Sequence, residues 1–223
     1  MMSLYPLSIY NYVMTVVVSI ATRDRVVVLA DSRVQDTEKG IIDNQIKVFE
    51  LSSNCTLMIA GTMLHGLDEY VKTLIFNVKD RKIIGAKAIA KHIQEFSELR
   101  TWATTPKSHI ITVISGYEGD EPFVLVKLST GVLEEILVKC YVSTNWEGAT
   151  GFLMDRRGYK TYDKLGYKSA ERIAIELLDQ AKKEIPDEVG GEGNLWHVTK
   201  HKIQKKSPNY LKALRKKYAK DAE

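Results

Sequence analysis

The sequence predicts a layered α+β domain. Short β-branched runs fall in two blocks, amphipathic helical stretches follow each block, and no regular strand–helix–strand alternation links them. Segregated runs of strands and helices indicate sheets covered by helices, not a doubly wound parallel sheet. A length of 223 residues, 44% hydrophobic and 27% charged, suits one domain with its own core and excludes disorder as the main state. With 14 glycines and 5 prolines, collagen-like and low-complexity structures are excluded as well.

The elements follow in order. Residues 15–21 (TVVVSIA) and 25–30 (RVVVLA) are short and β-branched, with Asp24 at the turn between them, and predict a hairpin of well-buried strands. Residues 40–50 form a further extended segment and 55–60 (CTLMIA) a strand that Gly61 ends. Leu64, Leu67, Val71, Leu74 and Ile75 then keep helical spacing over 63–78, and Ile89, His92, Ile93 and Phe96 do so over 85–99. Strands return at 109–117, 122–129 and 131–138, followed by a short helix over 148–157 and a longer one over 168–184. NLWHVTK (194–200) is the last predicted strand, and 207–222 a basic terminal helix.

Charge is unevenly spread. Residues 200–223 carry nine Lys or Arg against two acidic residues, a net +7 in a chain whose total is +4. A near-neutral domain with a basic tail from 205 onward does not carry a nucleic-acid footprint over its whole surface. The tail reads as a solvated helix, dispensable for chemistry. Cys55 and Cys140 form neither a disulfide framework nor a metal-ligand spacing, and none of the five histidines pairs with a Cys or carboxylate at such a spacing. Trp102, Trp146 and Trp196 read as core or subunit-contact residues. The first fourteen residues lack the positive start and unbroken apolar stretch of a secretory signal, and no segment reaches membrane-spanning length, so the cytoplasm is expected.

One constellation carries chemistry. Thr15 opens the first strand, and pairing with the second strand returns Asp31, in Ala30-Asp31-Ser32-Arg33, towards it. Lys47 lies in the following extended segment and Gly61 in Ile59-Ala60-Gly61-Thr62 at a strand-to-helix turn. Taken singly, these are ordinary strand-end residues. Together, TVVVSIATRDRVVVLADSR, IIDNQIKVFEL and LMIAGT before a helix resemble the catalytic β subunits of the proteasome and their bacterial relatives.

That resemblance implies a four-layer αββα sandwich of the N-terminal-nucleophile (Ntn) hydrolase type spanning 15–204, and a threonine endopeptidase without cofactor or metal. It places the nucleophile on Thr15, the buried acid on Asp31, the catalytic lysine on Lys47, the oxyanion-hole glycine on Gly61 and a structural arginine on Arg33. A late aspartate falls on Asp187, ahead of Gly190 and Gly191. The chemistry explains these types: a threonine hydroxyl needs an adjacent base, which its own α-amine supplies when threonine is the first residue. A nearby lysine ammonium favours the neutral amine, and an acid holds that lysine in place.

The sequence departs from the family pattern at three places. Met14 stands where a glycine usually precedes the threonine, Gly190 where a serine usually follows the late aspartate, and a second active-site serine has its nearest candidates in Ser143 and Thr144. Substrate side chains are expected against Val34, Gln45, Phe49, Ile59 and Met63, an uncharged set that favours an apolar residue before the cut bond. The resemblance further implies peptide or unfolded-protein substrates and a homo-oligomeric ring, with α-type subunits or an ATPase as further partners. It implies neither membrane nor nucleic acid. Two other readings stay open: a connectase-like threonine transpeptidase that passes the acyl group to an amine, and a noncatalytic structural subunit.

The Thr15 amine is available only if the Met14–Thr15 peptide bond is absent. Residues 1–14 are then either a self-cleaved propeptide or a leader upstream of a true start at Met14, and the second is expected. Intact-mass measurement of the active protein should give a chain beginning at Thr15; an active enzyme retaining residues 1–14 would exclude the amine as base.

Overall fold

A computed structural model of the chain describes residues 16–36, 40–62, 67–83, 109–128, 140–143 and 166–220, with separate positions at 85, 88–89, 91–93 and 95. The strands expected at 131–138 and the helix at 148–157 lie outside the described residues, as do Thr15, Met63 and Thr144.

Two antiparallel sheets form the centre. In chain order the strands are β1 (Val17–Ala21), β2 (Val26–Ala30), β3 (Val34–Asp36), β4 (Gly40–Ile42), β5 (Val48–Ser52), β6 (Cys55–Thr62), β7 (His109–Glu118), β8 (Glu121–Leu128), β9 (Cys140–Ser143), β10 (Asn194–Val198) and β11 (Ile203–Lys205). The first sheet has the order β11-β10-β2-β1-β9 and the second β5-β6-β7-β8, while β3 and β4 make a separate hairpin. The helices with described bounds are α1 (Leu67–Asp80), α2 (Tyr167–Glu184) and α3 (Pro208–Lys220).

The β1–β2 hairpin pairs Val17 with Ala30 through Ala21 with Val26, and every residue of both strands is buried. Their continuous apolar runs follow from cover on both faces. Val18, Ile20, Val27 and Leu29 pack outward against Ala170, Ala174, Ile175 and Leu178 of α2 and Leu211 of α3. Val17, Ala21, Val26, Val28 and Ala30 pack inward against Val48, Met58, Val113 and Val124 of the second sheet. That sheet turns Leu57, Ile59, Ile114 and Leu125 to its far side, where Val71, Leu74 and Val78 of α1 cover them with Ile89 and Ile93. The packing therefore runs helices, sheet, sheet, helices. Between the sheets the Ser19 and Ser115 hydroxyls meet at 2.7 Å, so this layer is not wholly apolar.

Three sequence expectations need correction. Residues 40–50 are not one extended segment: β4 ends at Ile42 and β5 starts at Val48, with Asn44 at a left-handed φ of 67° between them. Asparagine is among the few non-glycine residues that adopt this conformation readily. Strand β10 is not the last, because β11 follows and pairs Trp196 with Lys205. The segment from 205 is not a solvated tail, since it starts inside β11 and its helix buries Leu211 in the α2 core. The spacing of Tyr210, Leu211, Leu214 and Tyr218 gives α3 one apolar face, with Lys212, Lys216 and Lys217 exposed.

A buried polar chain links this helix layer to the sheet. Glu171 of α2 accepts a 2.8 Å hydrogen bond from Tyr210 of α3, and His197 Nε2 of β10 stands 2.8 Å from the same carboxylate. Arg25, in the β1–β2 turn, lies 3.3 Å from His197 Nδ1 and stacks 3.7 Å from the Tyr167 ring centre. Burial pushes the Glu171 carboxyl upward, but the His197 contact and the Tyr210 hydrogen bond outweigh it and hold the group below its ordinary 4.5. A depressed carboxyl contributes stability that is present above its unfolded pKa and lost as pH falls through its folded value. Glu171→Gln should therefore lower stability at pH 7 by about 1.5–3 kcal/mol, with the difference from wild type shrinking below pH 4.5 in denaturant titrations. A gap independent of pH would show that the carboxylate charge is not what the network uses.

Candidate active site

The site forms where the β1–β2 hairpin ends, the β4–β5 turn passes and the loop after α2 returns. Asp31 directly follows β2 and is fully buried. Antiparallel pairing brings it beside the start of β1: its N–H donates to Val16 O at 3.0 Å, and Val16 N–H donates to Asp31 Oδ1 at 3.2 Å. Lys47 Nζ donates to that same Oδ1 at 2.8 Å, with 8% of the lysine side chain exposed. The Arg33 amide donates to Oδ2 at 3.0 Å, and the Gly190 backbone lies beside the carboxylate.

Burial pushes the Asp31 carboxyl up and the Lys47 ammonium down; their mutual attraction opposes both shifts, and the backbone amides oppose the first. A carboxylate that accepts from three N–H donors is an acceptor at every contact named here, so the charged pair is the form this geometry fits. Lys47 is held as a cation whose proton is less tightly bound than that of a solvated lysine.

Arg33 turns away from Asp31. Its Nε and Nη2 meet the Asp43 carboxylate at 2.8 and 2.9 Å, and Nη1 donates to Pro186 O. That guanidinium holds the Asp43 carboxyl below the usual range. A partly exposed pair of this kind contributes about 0–1 kcal/mol, so Arg33 matters mainly for geometry. It joins the β4–β5 turn to the 186–188 turn. Asp187 is exposed in that second turn and adds to the negative field over Arg33.

Gly190 is buried, and a Cβ built on it would overlap Nε and Cζ of Arg33. At the position where the resemblance anticipates serine, the space is filled by the guanidinium. Gly191 has a φ of +71°, and a Cβ there would overlap Ser32 Oγ. Gly191 needs its glycine for the positive φ, whereas the crowding at Gly190 comes from the far end of the flexible Arg33 side chain.

Gly61 is not at a strand-to-helix turn. It lies inside β6, paired with Ile110, and the strand runs on to Thr62. The β5–β6 ladder ends at Val48 and Met58, whereas the β6–β7 ladder continues to Thr62 and His109. Strand β5 therefore leaves β6 at Lys47, and Ile59–Thr62 extend past the end of that ladder. Phe49 and Ile59 come together in the cluster under α1. Val34 is half-buried in β3. Gln45 is exposed, tied by its N–H to Ser32 O at 2.8 Å and by its O to Asn194 Nδ2 at 3.0 Å.

Ser32 was not among the residues singled out from sequence. It is buried and joins all three segments: its N–H donates to Gly190 O at 3.1 Å, its carbonyl takes the Gln45 amide, and its Oγ accepts from Gly193 N–H at 3.3 Å. The only signal for it in the sequence is adjacency to Asp31. Comparison with protein-family models and with curated proteins gives no match.

Asp31→Asn should be severe. An amide NH2 on either side would face an N–H donor, and Lys47 would lose its counter-charge. Breaking one partner of a buried pair typically costs about 3–5 kcal/mol, read here as a fall in melting temperature. Unchanged melting would show that the pair is replaceable.

Proposed function

We propose that the chain is a threonine peptidase of the proteasome β-subunit type, with an αββα Ntn-hydrolase domain. The reading rests on one observation: Asp31 Oδ1 accepts both Lys47 Nζ and the Val16 N–H, the amide of the peptide whose carbonyl belongs to Thr15. One carboxylate oxygen thus holds the catalytic lysine and the link that carries the nucleophile. Two sheets between helices accommodate many chemistries, so the site and not the layering bears the argument.

In this mechanism the Thr15 hydroxyl attacks the peptide carbonyl while the Thr15 amine takes the hydroxyl proton. The amine then returns that proton to the leaving nitrogen as the acyl-enzyme forms, and water releases the acyl group. An α-amine titrates at about 7.7–8.0, and the Lys47 charge favours its neutral form. The Gly61 amide is assigned to the developing oxyanion; one such donor is typically worth about 10²–10³ in rate. Among the described residues no helix is long and apolar enough to cross a membrane. The reading places the enzyme in the cytoplasm as a homo-oligomeric ring acting on peptides with an apolar residue before the cut.

Thr15→Ala should abolish hydrolysis of an apolar fluorogenic peptide and labelling by a threonine-directed electrophile, with the melting temperature nearly unchanged. A Thr15→Ala protein that cleaves at the normal rate would sink the mechanism.

A further inference from the structure

The loop after α2 is gripped from two sides. Towards the site, Gly190 O accepts the Ser32 amide, and Gly193 N–H donates to Ser32 Oγ. Towards the helices, Lys182 Nζ of α2 donates to Gly191 O. Arg215 of α3 places Nη1 and Nη2 at 3.5 and 3.4 Å from Glu192 O, while its Nε is held 2.9 Å from both Asp179 oxygens. Lys212 adds an ion pair to the Glu192 carboxylate at 3.2 Å. Three consecutive carbonyls, 190 to 192, therefore have donors from three different segments.

Three of the four residues 190–193 are glycine, with positive φ at Gly191 and Gly193. Such a stretch has little steric preference of its own and loses much backbone freedom when ordered. Its position against Asp31 depends on what holds it. We propose that Arg215, carried by the C-terminal helix, and Lys182 are positioning residues for the Asp31–Lys47 pair, acting through the loop's two hydrogen bonds to Ser32, the neighbour of Asp31. The basic terminal helix is then part of the catalytic apparatus and not an appendage. This inference rests on the proposed threonine mechanism for its effect on rate, but the clamp itself does not.

The test uses the mature protein with Arg215→Met, Arg215→Lys and Ile175→Val, the last removing one buried carbon from the same helix layer without touching the loop. Two readouts are taken below every melting transition: kcat and KM on an apolar peptide, and hydrogen exchange at the Ser32 amide, which donates to Gly190 O. Arg215→Met should lower kcat about tenfold, the scale of one pKa unit at Lys47, with KM within about twofold, and should speed Ser32 exchange. Arg215→Lys should restore most of both, and Ile175→Val should change neither. Equal loss of kcat in Ile175→Val, or unchanged kcat and exchange in Arg215→Met, overturns the proposal. If wild type neither cleaves peptide nor takes the electrophile, the threonine reading fails, and Ser32 exchange alone still decides whether Arg215 holds the loop.

Discussion

A carboxylate with no exposure to water constrains everything around it. Stripping an ion of its hydration costs far more than a domain's net stability unless partners replace the lost hydrogen bonds. The partners of Asp31 come from three separate places: Val16 before β1, Arg33 after β2 and Lys47 ahead of β5. Satisfying one charge thereby ties the first sheet to the second, and Ser32 beside it takes the loop that closes the helix layer. The apolar layers bring these segments near one another; the charge fixes their relative positions.

The same economy recurs on the helix side of the first sheet. Glu171 is nearly as buried as Asp31, and its partners come from β10 and α3. Between these two polar points lie the apolar contacts of α2 and α3 with β1 and β2. Apolar burial is non-directional, so it drives the helices onto the sheet without choosing their register. The hydrogen bonds of Glu171 and Arg215 supply that choice. This is why α3, whose exposed face is rich in lysine, is nonetheless held at a defined place.

Close approach at Gly190 changes how the site is built. A serine there would offer a hydroxyl, whereas Arg33 against a bare glycine offers only packing and an ordered 186–188 turn. Within the proposed mechanism, proton movement then relies on Thr15 and Lys47 more heavily than a serine at 190 would require.

The sequence by itself determined the first hairpin, α2 and the strands of the second sheet around 55–60 and 109–128. These depend on β-branched runs and 3.6-residue periodicity, all local signals, whereas the pairing of Lys47 with Asp31 was legible only through the family resemblance. The tertiary structure decided the break at Asn44, the run of β6 past Gly61, the extra strand β11 and the docking of α3. Each depends on a partner distant in the chain. Gly61 reads as a strand end because glycine usually interrupts strands, yet β7 holds it in the ladder through Ile110. Residues 205–220 read as solvated because lysines dominate their count, yet a single line of Tyr210, Leu211, Leu214 and Tyr218 suffices to bury one face. A charge total records how many groups need water, not which side of a helix they occupy; that side is chosen only when α2 and the 190–193 loop are present to be covered.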